Sequence, residues 1–412
     1  MTLPVLIVGG GIGGLTLALS LHQAGIACRV FEAAPEIRPL GVGINLLPHA
    51  MRELTELGLQ ERIARVAVET REQLYYNRFG QSIFGEPRGR FAGYQWPQFS
   101  IHRAELHQVL MAAVRERLGG DALVLGRKCI EFEENGKTIS AKFENGTEFE
   151  ASCIVGCDGI HSAVRKQLFP DEGPPGYQGI NMWRGITRAK PYLTGASMII
   201  AGWLEVGKFV AYPIRDAQSA TGLQAINWVA EIQSPRNVMQ DWNLPGRLED
   251  FYPVFADRRH EWLDCAALIR DAEQVFEYPM VDRDPLPYWS RGRVTLLGDA
   301  AHPMYPRGSN GAGQAILDAR TLTGCLLRSA NTEKALKEYE QIRLQATTEL
   351  VLLNRSDPPD TMLREVHRRT GDKPFARIED VIAREELVAL SENYKRVAGF
   401  ERDSLARRAS LV

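Results

Sequence analysis

A short apolar strand, "PVLIV" (residues 4–8), runs directly into Gly9-x-Gly11-x-x-Gly14, with Gly13 inside the cluster. "LTLALSLHQAG" follows with helix-like apolar spacing and ends at Gly25, a residue suited to a helix C-cap. "ACRVFEA" (Ala27 to Ala33) then reads as a second strand that ends in Glu32. A strand, a glycine turn, a helix and a second strand make a βαβ unit, which commits this part of the chain to a buried parallel sheet. Glycines allow a tight turn and close approach of the backbone to a pyrophosphate, and the helix directs its free amides and positive end at the same point. Glu32, 23 residues after Gly9, can accept hydrogen bonds from a ribose, with Ala33 beside it. The unit predicts a bound dinucleotide and does not distinguish NAD from FAD.

Three more glycine turns follow strand-like stretches. "GVGINLLPHAMRELTELGL" places Gly43 ahead of an amphipathic helix. "ASCIVGCDGIHSAVRKQL" gives a strand ending in Asp158-Gly159, then a helix containing Arg165. "RVTLLGDAAHPMYPRGSNGAGQA" gives a strand at 293–297, then Gly298-Asp299 and a glycine-edged helix start. In "FSIHRAELHQVLMAAVRERL", Arg103 stands at a helix start, where it opposes the macrodipole and suggests an anion nearby; a surface arginine is the alternative. Four such transitions exceed what one NAD-binding domain needs.

At 412 residues the chain is long enough for two domains. Its formal net charge of -2 gives no electrostatic reason to expect nucleic acid or an anionic membrane as partner. No apolar run reaches the roughly eighteen residues of a membrane span, and no basic region precedes the N-terminal apolar stretch. A cytoplasmic protein is expected. Cysteines 28, 129, 153, 157, 265 and 325 show no zinc spacing and read as buried free thiols. The eight histidines form no HxH or HExxH pattern, so no metal is expected.

The glycine cluster with Glu32, "CDGIHSAVR" and "GDAAHPMYPRGSNGAGQAILDA" together resemble the single-component (class A) flavoprotein aromatic hydroxylases of the p-hydroxybenzoate hydroxylase type, over residues 1–355. "HPMYPRGSNGAGQAILDA", "MWRG" (182–185) and "FARIEDVIAREELVALSENYKRVAGF" look most like the phenazine hydroxylase branch. The resemblance implies an α/β fold: a Rossmann-like, glutathione-reductase-type FAD domain, a mixed β-sheet substrate domain and C-terminal helices. It implies FAD in an extended pose. Gly9, Gly11 and Gly14 would meet the pyrophosphate, Glu32 the adenosine ribose, Arg103 the cofactor and Asp299 the ribityl chain. Asp158 and Arg165 match a motif associated with both FAD and the nicotinamide donor. Gly13, Ala33, Gly43, Gly308, Asn310, Gly311 and Ala312 complete the expected cofactor contacts. Reduced flavin is an anion, and a helix N-terminus carrying about half a positive charge would face its pyrimidine edge. Pro306, Arg307 and Gly308 would form the loop at the flavin face.

The implied reaction is hydroxylation of an aromatic or N-heteroaromatic ring by oxygen, through a flavin hydroperoxide, with NADH or NADPH as donor. Epoxidation, Baeyer–Villiger insertion or oxidation on the same scaffold, and a redox sensor that hydroxylates nothing, are the alternatives. "GINMWRGITRAK", "ASMIIAGWLEVGKFVAYPIR" and "GLQAINWVAEIQ" read as aromatic-rich strands, and "LPGRLEDFYPVFADRRHEWLDCAALI" as helix. Trp183, Arg184, Trp203, Phe209, Tyr212 and Trp228 are the candidates to line a substrate pocket; packing is the alternative for each. Arg307 is a candidate to bind a substrate carboxylate bidentately, against a guanidinium turned to solvent or to a cofactor phosphate. The expected organisation is an FAD domain over 1–70, 99–178 and 279–355, a substrate sheet over 71–98 and 179–278, and helices over 356–412 with a break at Pro358-Pro359. The helices read equally as active-site cover, dimer contact or packing, and the chain as monomer or homodimer.

Overall fold

A computed structural model describes residues 3–36, 42–234 and 244–412. A five-stranded parallel sheet runs in the order Val294–Leu296, Cys153–Gly156, Val5–Val8, Cys28–Phe31, Leu123–Val124. Val5 pairs with Cys28 on one side and Cys153 on the other, so the first strand is central and fully buried, as its β-branched sequence requires. Helices Ile12–Gln23, Arg103–Leu118 and Gly311–Arg328 pack together beside it. The edge strand Val294–Leu296 joins this sheet from nearly 140 residues beyond its neighbour Cys153–Gly156. Most of the intervening chain builds a second layer.

That layer is a seven-stranded mixed sheet in the order Val275–Asp282, Gly176–Ala189, Gln224–Gln233, Lys208–Arg215, Ser197–Ala201, Glu72–Tyr76, Ser82–Pro87. Its pairs are antiparallel except Ser197–Ala201 with Glu72–Tyr76. Trp183, Phe209 and Trp228 pack on one face against Phe251 and Phe255. The opposite face packs Met182, Val210 and Val229 toward Tyr305 and the C-terminal residues Met362, Leu363, Val366 and Leu387. Helices Thr361–Thr370 and Arg384–Val397 supply these C-terminal residues, after a break at residues 357–360 that ends the long helix Thr332–Ser356.

The helix expected over residues 244–269 is corrected. Leu248–Asp250 and Tyr252–Val254 are single 3₁₀ turns, a two-residue hairpin follows, and only Cys265–Arg270 is α-helical. Pro253 lacks the amide a helix interior needs, and Phe251 and Phe255 gain more by docking on the sheet than from helical hydrogen bonds. The six cysteines are free thiols. No helix among the described residues is long and apolar enough to cross a membrane, and no cluster of potential metal ligands occurs among them.

Candidate active site

A cavity of about 400 Å³ lies between the two sheets. Its walls include Gly11 and Gly13 from the first turn, Arg103, Cys157, Gly159, the stretch from Leu297 to Asp299, and the stretch from Pro306 to Ala312. The glycine cluster divides its work. Gly9 has φ +108°, and a Cβ there would lie 2.4 Å from the Cys157 carbonyl oxygen. A Cβ on Gly14 would come within 2.0 Å of the Gly9 carbonyl oxygen. These two glycines permit strand–helix packing and are not among the residues that line the cavity. At Gly11 a Cβ would meet nothing within 4 Å, which leaves open space above that backbone.

Glu32 braces the same turn: its carboxylate accepts the Gly10 amide at 2.7 Å and the Ala34 amide at 2.8 Å. The Gly10 carbonyl is in turn held by His107 Nε2 at 2.6 Å. Ala33 is exposed beside it. Asp158 is engaged within its own motif. Its carboxylate accepts Ser162 Oγ at 2.5 Å and the Ala163 amide at 2.7 Å, so it caps the helix Ala163–Leu168 and does not line the cavity. Burial pushes its carboxyl above the ordinary range despite those bonds. Arg165, also buried, grips Glu172 and donates to the Ala300 and Ala301 carbonyls at 3.0 and 2.9 Å. The Asp-Gly motif thus acts as a brace behind the Gly298-Asp299 turn.

That turn is braced from a second side. Asp318 accepts the Gly298 amide at 3.1 Å, His302 Nε2 at 2.5 Å and Arg343 Nε at 2.7 Å. Burial alone would raise the Asp318 carboxyl, but the charges of His302 and Arg343 prevail and hold it at about 2. Asp299 is free of such bonds and is exposed into the cavity, whose walls desolvate it and raise its carboxyl against the pull of His302 and Arg103.

The loop ahead of helix Gly311–Arg328 carries Gly308 at φ +71° and Ser309 at φ +59°. A Cβ on Gly308 would lie 1.9 Å from Tyr394 Oη, so only glycine fits under that tyrosine. Tyr394 Oη donates to Asn354 Oδ1 at 2.9 Å and accepts Asn310 Nδ2 at 3.0 Å, while Asn310 Oδ1 stays buried without a partner. Asn310 stands at the N-cap without using its side chain as a cap, and the first helical amides have no partner within the helix. Arg307 is buried, with Nε and Nη2 unpartnered, and its guanidinium carbon lies 6.0 Å from the centre of the Trp203 ring.

The seven-stranded sheet supplies the opposite wall, and strand parity decides which residues reach it. Met182 and Arg184, Met198 and Ile200, Lys208, Val210 and Tyr212, and Val229 and Glu231 face the cavity. Trp183, Phe209 and Trp228 fall on the alternate positions and pack on the far face, with Trp183 stacked on Phe251 at 4.8 Å. Trp203 follows its strand and lies beneath Arg307, outside the cavity lining. Of the six candidates for the pocket, Arg184 and Tyr212 line it, and the three tryptophans and Phe209 do not. Both of the lining residues donate to the Gly43 carbonyl at 2.8 Å, and Asn227 Oδ1 accepts the Gly43 amide at 2.7 Å.

Sequence reasoning missed Lys208, Glu231 and Asp360. Lys208 Nζ bridges Glu231 Oε2 at 2.8 Å and Asp360 Oδ2 at 2.5 Å, all three buried in the cavity wall. A charged residue at the head of the apolar run in "GKFVAYP" was the available signal for Lys208. Asp360 had none, because only the tertiary fold brings residues after 356 to the sheet.

The residues present fit a flavin dinucleotide: open space over Gly11 for a pyrophosphate, an unengaged Asp299 carboxylate to accept from hydroxyls, and an orphaned Asn310 oxygen beside free helix amides for a ring edge. The comparisons agree. Residues 2–353 match the family model described as FAD binding domain. The chain is 43% identical to phenazine 1,6-dicarboxylic acid hydroxylase from Lysobacter antibioticus, over 95% of this chain and 96% of that one. It is 32% identical to 3-amino-4-hydroxybenzoate 2-monooxygenase from Streptomyces cremeus, over 96% and 95%. The structure of Klebsiella pneumoniae HpxO complexed with FAD and uric acid shares the fold at a TM-score of 0.75 and 22% identity, covering 98% of this chain and 97% of that one.

Fold and cavity are therefore those of an FAD-dependent monooxygenase that hydroxylates aromatic or heteroaromatic rings, with NAD(P)H as donor. The chain belongs to the FAD-binding-domain family of class A flavoprotein hydroxylases, near the phenazine hydroxylase branch.

Proposed function

We propose that the substrate is a carboxylated aromatic or N-heteroaromatic compound of phenazine-like size, and that Arg307 binds its carboxylate. One observation carries this reading: a guanidinium in the cavity wall, buried, with two nitrogens lacking any partner. A buried unpaired cation is costly, and a planar carboxylate satisfies it bidentately. The hydroxylases of phenazine dicarboxylic acid and of an aminohydroxybenzoate among its relatives accord with an acidic substrate.

The chemistry that a bound FAD would supply is hydride acceptance from NAD(P)H and oxygen activation for transfer to the ring. The residues of the chain bind, orient and exclude water. In this reading Gly11 and Gly13 lie along the pyrophosphate. Glu32, which keeps spare lone pairs after accepting two amides, takes the adenosine ribose. Arg103 and Asp299 hold the remainder of the cofactor chain, and Asn310, Gly311 and Ala312 meet the pyrimidine edge of the flavin. Gly43, pinned by Arg184, Tyr212 and Asn227, sets the distance between flavin and sheet. Pro306, Arg307 and Gly308 face the reacting ring.

The test is Arg307→Met in the FAD-loaded protein. The Kd for phenazine-1-carboxylate, read from the flavin absorbance change, should rise about ten- to a hundredfold, as expected for losing a hydrogen bond to a charged group, while FAD content holds. An unchanged Kd for that acid would sink the assignment.

A further inference from the structure

Asp360 occupies the N-cap position of helix Thr361–Thr370, where a carboxylate ordinarily turns back onto its own helix's amides. Here it makes no such bond. The carboxylate points instead at the sheet, where Oδ2 meets Lys208 Nζ, and Oδ1 is buried without a partner in the wall of the cavity. Lys208 already has Glu231 as a counterion, so a second carboxylate is more than its charge requires. The charge of Arg307 also acts on Asp360, yet no hydrogen bond or ion pair joins the two among the described residues. Two residues of the cavity wall therefore hold buried groups without a side-chain partner: one carboxylate oxygen of Asp360 and two guanidinium nitrogens of Arg307.

Resting on the reading of Arg307 given above, we propose that Asp360 is a specificity-determining residue of this site. Its free oxygen accepts a hydrogen bond from a hydroxyl or N–H on the substrate ring, while Arg307 takes the anionic substituent. The site then selects aromatics that carry both an acid and a separate donor. The C-terminal segment has a defined task, supplying one of the two polar anchors. Lys208 is a positioning residue: bonded to Oδ2, it leaves Oδ1 as the one oxygen available to a ligand.

The experiment uses the FAD-loaded full chain and a panel of hydroxyphenazine-1-carboxylates, with the hydroxyl at each open ring position, each paired with its O-methyl ether. Binding is read from the flavin absorbance change. In the wild type, at least one hydroxyl isomer should bind about tenfold or more tightly than its ether, because the ether leaves Oδ1 buried and unpaired. In Asp360→Asn, Lys208 claims the amide oxygen and the NH₂ faces the cavity, so the preference should vanish or invert in favour of the ether. Arg307→Met should weaken both members of a pair and leave their ratio intact. Should Asp360→Asn fail to hold FAD, Asp360→Leu removes the carboxylate, leaves Lys208 paired with Glu231 and should likewise abolish the ratio. Equal binding of every pair in the wild type, or a preference that survives loss of the carboxylate, overturns the assignment. If acids bind through Arg307 but ethers and hydroxyls bind alike, only Asp360 falls. If no carboxylate binds at all, the reading of Arg307 falls first and takes Asp360 with it.

Discussion

On one face of the seven-stranded sheet, Trp183, Phe209 and Trp228 stack on Phe251 and Phe255 in a layer with little but carbon in it. On the other, the same strands present Arg184, Lys208, Tyr212 and Glu231 to a cavity. Residues one position apart thus lie in opposite surroundings. The far face carries the large apolar area and anchors the sheet, whereas the near face keeps polar groups buried at a cost that only a ligand and each other's bonds offset. Stability and specificity are separated by a single step along each strand.

The comparison breaks most visibly if the far face proves to bind ligand. Trp228 is fully buried, donates its indole N–H to Thr187 Oγ1 at 3.1 Å and lies against Gly185, where a Cβ would sit 2.4 Å from its ring. Trp228→Ala should cost about 3–5 kcal/mol, lowering Tm by roughly 4–6 °C for a chain of this size. In the folded fraction, Kd for FAD and for an aromatic acid should stay within about twofold, since neither ligand is beyond the sheet. Retained thermal stability with lost ligand affinity would show that the two faces do not divide their work this way.

A smaller effect should separate the faces by pH. The near face holds a carboxyl that titrates in acid: burial would raise the Asp360 carboxyl, but Lys208 and Arg307 hold it below its ordinary value of 3.8. A carboxyl depressed on folding adds stability that is fully present above the unfolded value and is lost as pH falls through the folded one. Denaturant midpoints should therefore decline as pH drops below about 4. Asp360→Asn should flatten part of that decline, and Trp228→Ala should keep it at a lower baseline. Identical slopes in wild type and Asp360→Asn would remove Asp360 from the acid response.

What the sequence disclosed follows the same division. Local patterns with a backbone cause were legible: the glycine turn, the parallel strands, the Gly-Asp turn and the glycine-edged helix follow from steric need and hydrogen bonding within a few residues. Aromatic candidates were chosen by chemistry, and parity then sent Trp183, Phe209 and Trp228 to the far face. Starting from Arg184 and Tyr212 and stepping by two would have selected Met182, Lys208 and Val210. Gly9, Gly14 and Asp158 each serve the fold, and motif positions that must be glycine or acid for packing cannot be told from those that touch a ligand without the neighbouring strand. Asp360 and Tyr394 were invisible because their partners, Lys208 and Gly308, are far away in the chain.

The smallest effect sharpens the comparison at the boundary between the two surroundings. Trp203 belongs by composition with the far-face aromatics, yet its ring lies under the Arg307 guanidinium, 6.0 Å from centre to carbon. A cation over an indole face at that distance gains about 0.5–1 kcal/mol. Trp203→Leu preserves apolar bulk and removes the quadrupole, so affinity for phenazine-1-carboxylate should fall by about two- to fivefold, with FAD binding unaltered. Arg307→Met should erase that difference, because the tryptophan acts only through the cation above it. If Trp203→Leu weakens an uncharged phenazine equally, the ring serves as packing for the cavity floor and belongs with the stabilising layer after all.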